Sequence, residues 1–567
     1  MRKNVGRLGL QDALWCCMAL ALVSLAFCVA LFYGYDMWHY ERLDFQVPLI
    51  RMMEEGAPMS AFLRHANIGL ERTPVTLLLF LLLSMFGRHM MTAQLVLTPV
   101  FACITALFLS RLSHRAFRDS SPADRGVFLL IIWAFLLSVL QWETWTRSFL
   151  DGTLVTLLAV AAAAVLSRES LQWRHILVAL LLGIACTFTR ANGVAVWVAL
   201  LPLLLYRQEA KRYIFLLAWL GTAFVSGFLL FVGRIHILAG TAPPDAMTLF
   251  RIVRFALTAL GAPLFAQSAS LAFLFGAVML LSVVWLFYSK YAVFRTSRPL
   301  QAWLSMFLFA CFTSMTIALA RVDAGIGQAL ISRYITLTVL GVIAWVHLIH
   351  LTAPVVWRPA LRCAWLLALL SLLLLSKSLL PAISADAQYF ARGKLCGETY
   401  HIASDDCLGI LHGSAEFARE QLHTLDELGY LKTLDFQPSL TMFSSSLRYS
   451  GAFDGLYDPV RQGGRNAYAT QSLIAWGWTI GERCEIPDLV VLTHGSGHTL
   501  LAAALPIAER PDVAAVHGTC YLESGWSVAM QKDVLENIGD APIDAWVYDR
   551  KRREAFLLQS VEPLPVR

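Results

Sequence analysis

Residues 1–35 read MRKNVGRLGLQDALWCCMALALVSLAFCVALFYGY, in which Arg2, Lys3 and Arg7 precede an apolar run of about twenty residues. That run is long enough to cross a bilayer as a helix and lacks a small-residue cleavage site, so a retained first span is expected rather than a removed signal peptide. Lys and Arg collect on the cytoplasmic side of spans, which puts the amino terminus inside and residue 34 onward outside. The whole 567-residue chain fits this reading. It is 57% hydrophobic and 15% charged, with a mean hydropathy of +0.61, where soluble proteins average roughly 25% charged.

The net charge of +6 hides two opposed parts. Up to Pro381 about 30 Lys and Arg stand against about 15 Asp and Glu, and beyond it about 15 against about 24. The basic residues of the first part sit in short loops between apolar runs, which argues against nucleic acid as a partner. Further apolar runs at 91–110, 126–141, 149–167, 174–189, 192–206, 213–232, 271–289, 301–320, 334–352 and 361–380 bring the expected spans to eleven. TPVTLLLFLLLSMF (73–86) is too short to count and is expected to lie along or dip into the interface. Counting it would turn the basic loop RLSHRAFRDSSPADR (111–125) outward, against the charge rule. An inside start and eleven crossings leave the acidic tail outside. No Walker or Rossmann glycine motif is present to bind a nucleotide.

Cys16, Cys17, Cys28, Cys103, Cys186, Cys311 and Cys363 lie in apolar runs and read as small buried hydrophobes. Cys396, Cys407, Cys484 and Cys520 lie in the hydrophilic tail without C-x-x-C spacing, which points to two disulfides and an oxidising compartment. Threading leaves Arg147, Arg190, Arg234, Arg251, Arg254, Arg321 and Arg333 at outer span ends, where the charge rule does not ask for them. A guanidinium holds phosphate in a forked, permanently charged grip, so a lipid-phosphate site is expected there. The competing reading is that each arginine snorkels or pairs with an acid such as Glu143 or Asp151. The first outer segment, YDMWHYERLDFQVPLIRMMEEGAP (35–58), sets carboxylates beside aromatics, and such a carboxylate can take the proton of an acceptor hydroxyl. His39 and His65 complete no metal-ligand spacing.

In this order and sidedness the chain resembles the GT-C superfamily of membrane glycosyltransferases that use polyprenyl-phosphate sugars, nearest its protein O-mannosyltransferase and lipid A aminoarabinose transferase branch. The likeness covers roughly residues 10–380 and rests on Asp44, RMMEEG (51–56), ERTPVTLLLFLLLSMFG (71–87) and TAQLVLTPVFACITALFLSRLSHRAF (92–117). It continues through TRSFLDGTLVTLLAV (146–160), TRANG (189–193) and SRYITLTVLGVIAWV (332–346). The resemblance implies an Arg147 and Asp151 pair, a basic residue at Arg190, and Arg333 with Tyr334 at the head of a late span. The family's Asp-Glu dipeptide and late proline are missing, so Asp36, Glu41 and Asp44 compete for the role of base. A closer resemblance is to a group of bacterial membrane proteins with D-x-x-VP (Asp44, Val47, Pro48), a basic cluster from His65 to Arg72, TRANG, and GIGQALISRY (325–334).

In the tail, 382–464 is expected to form a helical linker layer, with EFAREQLHTLDELGYLKTL apolar at helical spacing. From about 465 short β-rich runs, SLIAWGWTI, DLVVLTH, TLLAAALPI, SGWSVAM and DAWVYDR, read as a β-sandwich of about 100 residues. RPDVAAVHG and the following SGW resemble the carboxy-terminal sandwich of that bacterial group. Cys484 with Cys520 would bridge strands, and Cys396 with Cys407 would close a short loop. Trp476, Trp478, Trp526 and Trp546 read as core first and as a sugar platform second.

The fold class expected is therefore a polytopic α-helical GT-C-type membrane protein with a carboxy-terminal extracytoplasmic β-sandwich, in a bacterial inner membrane. The function expected is inverting transfer of a sugar from a polyprenyl-phosphate donor to a hydroxyl of a cell-envelope glycan, lipid or protein. Asp44, Asp36 or Glu41 would act as base, and Arg147, Arg190, Arg333, Tyr334, Arg72 and His65 would hold substrate. No cofactor beyond the donor lipid is assigned. The competitors are a lipid-linked glycan transporter or flippase, disfavoured by the lack of internal duplication, and a non-catalytic envelope scaffold.

Overall fold

The structure, a computed structural model, describes residues 10–58, 60–62, 74–209, 211–231, 245–433, 441–443, 448–457, 472–494, 499–531, 542–549 and 554–561. It divides into two compact units, one of residues 1–35, 56–86 and 92–385, the other of residues 36–55, 87–91 and 386–567. The helices begin with α1 (Leu10–Phe32), α2 (Glu41–Glu54), α3 (Pro74–Ser84), α4 (Met90–Ala116), α5 (Pro122–Leu136), α6 (Trp142–Thr146), α7 (Leu150–Leu166) and α8 (Trp173–Thr187). There follow α9 (Ala195–Ala199), α10 (Leu201–Leu205), α11 (Arg212–Phe231), α12 (Ala246–Phe265), α13 (Ala269–Ser289), α14 (Tyr291–Thr296) and α15 (Arg298–Arg321). The last are α16 (Ser332–Thr352), α17 (Arg358–Glu398), α18 (Asp405–Gly409), α19 (Ala415–Glu427) and α20 (Pro511–His517).

Among the described residues, eight helices are long and apolar enough to cross a membrane. Seven coincide with expected spans, and the expected first span is the 23-residue α1. The list of spans is corrected in two ways. Leu150–Leu166, Trp173–Thr187 and Ala191–Leu205 are apolar but shorter. The 17 residues of α7 rise only about 26 Å, less than the roughly 30 Å of a hydrocarbon core. Ala191–Leu205 is broken into a 3₁₀ turn and two short helices, the second with Pro202 in its first turn. The second correction is α12, which is not among the expected spans and carries Arg251 and Arg254 within its length. Its length qualifies it as a span. Arg251 Nη2 bonds Asp323 just past α15 at 3.1 Å, and Gln267 Nε2, just past α12, bonds Ser378 of α17 at 3.2 Å. The expected interface helix is α3, only 11 residues long.

The core of this first unit is built on close approach. A Cβ at Gly261 would sit 2.0 Å from the carbonyl oxygen of Ala272, and one at Gly276 2.0 Å from that of Leu257. Only glycine at both positions lets the α12–α13 hairpin close this tightly. Behind it, α15 and α16 pack along their length, with Trp303 stacked on His347 at 3.7 Å and both side chains buried.

The second unit carries eight strands among its described residues, in a five-stranded sheet ordered β1-β8-β7-β4-β5 and a three-stranded sheet ordered β2-β3-β6. Phe453, Ala475, Trp526 and Val528 of the smaller sheet share one apolar cluster with Val490, Leu492, Ala502 and Ala545 of the larger, so the sheets pack face to face. All five expected runs are strands: β3 (Ser472–Gly481), β4 (Leu489–His494), β5 (Thr499–Ala504), β6 (Gly525–Gln531) and β7 (Ile543–Asp549). The sheets also take β1 (Thr441–Phe443), β2 (Tyr449–Tyr457) and β8 (Glu554–Val561). Strand β2 precedes residue 465; Gly451 and Gly455 break the alternation that would have marked it. RPDVAAVHG holds α20, with Pro511 in its first turn. Both disulfides are present, Cys396–Cys407 with Cα atoms 5.4 Å apart and Cys484–Cys520 with 5.7 Å, but the latter joins two 3₁₀ turns, Glu482–Cys484 and Thr519–Tyr521, and not two strands.

Candidate functional site

One ten-residue segment, 142–151, organises the site of the first unit. Helix α6 ends at Arg147, and Ser148 then takes a positive φ of 51° that reverses the chain into α7. The turn is pinned by Phe149 N–H donating to the Thr144 carbonyl at 3.1 Å, by Tyr35 N–H donating to that of Thr146 at 2.7 Å, and by the Thr98 and Ser148 hydroxyls 3.3 Å apart. It places Glu143 and Arg147 one turn apart, with Asp151 in the first turn of α7, where the helix dipole favours a carboxylate.

Arg147 belongs to this segment, and Arg190 and Arg333 reach it from two others. Arg147 Nη1 lies 3.4 Å from Glu143 Oε1, with its guanidinium 5.6 Å from the centre of the Trp142 ring. Arg190 Nη1 lies 2.5 Å from Asp151 Oδ2 and 4.6 Å of guanidinium-to-centroid distance from Phe149, both ionic side chains being less than a fifth exposed. Arg333 donates its backbone N–H to Glu143 Oε2 at 3.3 Å, while Glu143 N–H donates to Ser332 Oγ at 3.1 Å. The Thr144 and Thr336 hydroxyls, 2.6 Å apart, complete the clamp on α16. The Arg333 guanidinium faces the buried Tyr334 ring at 5.6 Å and pairs with no carboxylate among the described residues.

The Arg190 turn is held from below by α3, where Thr76 Oγ1 donates to the Thr189 carbonyl at 2.5 Å and Val75 N–H to that of Phe188 at 2.8 Å. A Cβ at Gly193 would strike the Cys186 carbonyl oxygen at 1.9 Å, which gives the TRANG glycine a physical reason. Beside it Asn192 is 6% exposed, and neither its amide nitrogen nor its oxygen has a hydrogen-bond partner among the described residues. An orphaned buried amide is costly, and it offers two N–H donors and a carbonyl acceptor to whatever enters. Sequence reasoning named the three arginines and Asp151. It did not single out Asn192 or the Thr144–Thr336 and Ser332 bonds, which no pattern of residue types marks.

The remaining arginines expected at outer span ends do not join the segment: Arg251 pairs with Asp323, Arg254 is exposed, and Arg321 closes α15. Arg72, His65 and Arg234 lie outside the described residues, and so does the side chain of Glu41.

The first outer segment folds in the second unit, and its acids are held there by the tail. Asp36 Oδ1 lies 2.6 Å from Lys394 Nζ, and Asp44 Oδ1 3.4 Å from His412 Nε2, each acid well over a third exposed. Arg51 bonds the Thr424 hydroxyl, and Tyr40 N–H donates to the Leu411 carbonyl. In the sandwich, Trp526 and Trp546 are core, the latter donating to Thr493 Oγ1 at 2.8 Å, whereas Trp476 is 38% exposed beneath Arg510. Arg510 also pairs with Asp454 and Asp512; its guanidinium hydrogen bonds pull the Asp512 carboxyl down to about 2. No cluster of three or more His, Cys, Asp or Glu suited to a metal ion occurs among the described residues. No family model, curated protein or solved structure matches the chain.

Proposed function

We propose that the chain is a membrane glycosyltransferase that moves a sugar from a polyprenyl-phosphate donor to a hydroxyl of an envelope glycan, lipid or protein. The observation that supports this reading is that the segment 142–151, which carries Arg147, takes an ion pair from Arg190 and a backbone hydrogen bond from Arg333 at one end of an apolar helical bundle. Arg147 and Arg190 are already paired, and the Arg333 guanidinium stays available to a phosphate. In the reaction the acceptor oxygen bonds to the anomeric carbon while the bond from that carbon to the phosphate oxygen breaks. The polyprenyl phosphate leaves with the electron pair, and the acceptor's proton passes to a carboxylate. Arg333 would neutralise the leaving phosphate, and the Arg190–Asp151 pair would fix the neighbouring turn. Asp36, Glu41 and Asp44 remain the candidates for the base.

The test is transfer in membranes supplied with a polyprenyl-phosphate sugar. Arg333→Gln is expected to lower turnover by about 10²–10³-fold. One of Asp36→Asn, Glu41→Gln and Asp44→Asn is expected to abolish transfer. Full activity in all four variants would remove the reading.

A further inference from the structure

We propose that the end of the bundle opposite the 142–151 segment carries a second anion site, a pocket for a phosphate-bearing ligand. Helix α7 links the two, with Asp151 in its first turn and Ser167 at its other end. Around Ser167 opens a cavity of about 500 Å³, walled by the end of α4, the 167–175 turn and the start of α15. Arg115, Arg118, Arg168, Arg174 and Arg298 line it, and the one acid in its wall is Glu169.

Three observations make this more than a basic loop of the kind found beside any span. First, the wall is built. Arg207, fully buried, donates to the carbonyls of Leu166 at 2.7 Å, Arg168 at 2.5 Å and Glu169 at 3.2 Å, with Glu209 Oε1 2.6 Å from its Nη1. A buried cation spends its donors on the turn that carries Arg168. Second, Arg115, Arg118 and Arg174 have no carboxylate partner among the described residues. Like charges so gathered repel unless an anion enters. Third, Arg168 is held at the wall, its Nη1 lying 2.9 Å from His175 Nε2 while Gln172 N–H donates to His175 Nδ1 at 3.2 Å. A phosphate oxygen is the group that several guanidiniums hold in a bidentate grip. The volume exceeds that of one phosphate and suits a diphosphate or a lipid headgroup. Trp303 supplies the apolar floor.

Two sources share this chemistry, a water-soluble phosphate compound and an anionic phospholipid headgroup. The full chain, purified in neutral detergent, is titrated with inorganic pyrophosphate by calorimetry. In parallel it is placed in phosphatidylcholine nanodiscs containing a minority of phosphatidylglycerol, and the retained lipid is read by native mass spectrometry. Saturable pyrophosphate binding identifies a soluble ligand; phosphatidylglycerol enrichment without it identifies a headgroup. In either case Arg115→Gln/Arg174→Gln is expected to weaken the signal about tenfold or more, and added salt to weaken it further. Arg295→Gln, on the adjoining helix but outside the cavity wall, is expected to bind as wild type. If the double variant does not fold, the single exposed change Arg118→Gln takes its place, with a smaller expected loss. A wild-type chain that takes up neither probe overturns the proposal, and so does a folded variant that binds unchanged.

Discussion

At the level of single residues, Arg190 and Arg333 separate two uses of the same side chain. Arg190 is ion-paired and mostly enclosed, so Arg190→Gln strands Asp151 as a largely buried charge; a loss of about 3–5 kcal/mol is the usual result of breaking such a pair. Arg190→Gln/Asp151→Asn, which removes both charges, is expected to recover most of that loss in thermal unfolding in detergent. Recovery absent from the double variant would mean that the pair is not what the turn rests on. Arg333→Gln, by contrast, is expected to leave the unfolding midpoint near wild type, because its guanidinium makes a ring contact and its structural bond to Glu143 runs through the backbone.

Asp512 gives a residue-level pH dependence. Its folded carboxyl is lowered to about 2 by hydrogen bonds from Arg510. A lowered acid stabilises the fold above its unfolded value and ceases to do so as pH falls through the folded one. The Asp512 contribution is therefore intact at neutral pH and fades between about 4 and 2. Asp512→Asn is expected to melt below wild type at pH 7 and to converge on it in that acid window. A difference that persists unchanged below pH 2.5 would show that Arg510 is not the cause.

At the scale of elements, the long apolar runs were legible because hydropathy alone decides a 20-residue helix, whereas α12 was not, because its two arginines lie on the face away from its apolar packing. Its identity as a packed helix rests on glycines whose role is visible only once the α12–α13 approach is known. Gly276→Leu forces the hairpin apart at Leu257, and overpacking of this kind costs about 1–3 kcal/mol or more. A thermal midpoint equal to wild type would mean the two helices are not in contact. The disulfides were legible from cysteine placement alone, since an even set in a hydrophilic tail has few uses. Cys484→Ser/Cys520→Ser is expected to cost about 2–4 kcal/mol, and reductant treatment of wild type, which also opens Cys396–Cys407, at least as much. The candidate site was half legible. Arginine where the charge rule does not call for it is a signal in one dimension, but the clamp of Glu143, Ser332 and Thr336 joins residues nearly two hundred positions apart by hydroxyls that any sequence contains.

For the whole molecule, the claim that carries most weight is sidedness, and one helix is enough to test it. Helix α15 has 24 residues and a length of about 36 Å, with basic Arg295 and Arg298 before and at its start and Asp323 just past its end. The charge rule predicts a cytoplasmic end at Arg295 and Arg298, which would leave the end bearing Asp323 facing the compartment where the tail's cysteines are expected to oxidise. Cysteine introduced as Asp323→Cys is expected to react with a membrane-impermeant maleimide in intact spheroplasts. Cysteine introduced as Arg295→Cys is expected to react only after permeabilisation, both against a background lacking Cys363. The outcome bears on chemistry as well as orientation. A polyprenyl-phosphate donor on the outer face reaches the 142–151 segment only if that segment shares the Asp323 end, which the bonds of Ser332 and Arg333 to Glu143 require. Reversed labelling would put the three arginines in the cytoplasm, where nucleotide-activated donors compete, and the case for a lipid-linked donor would lose its basis.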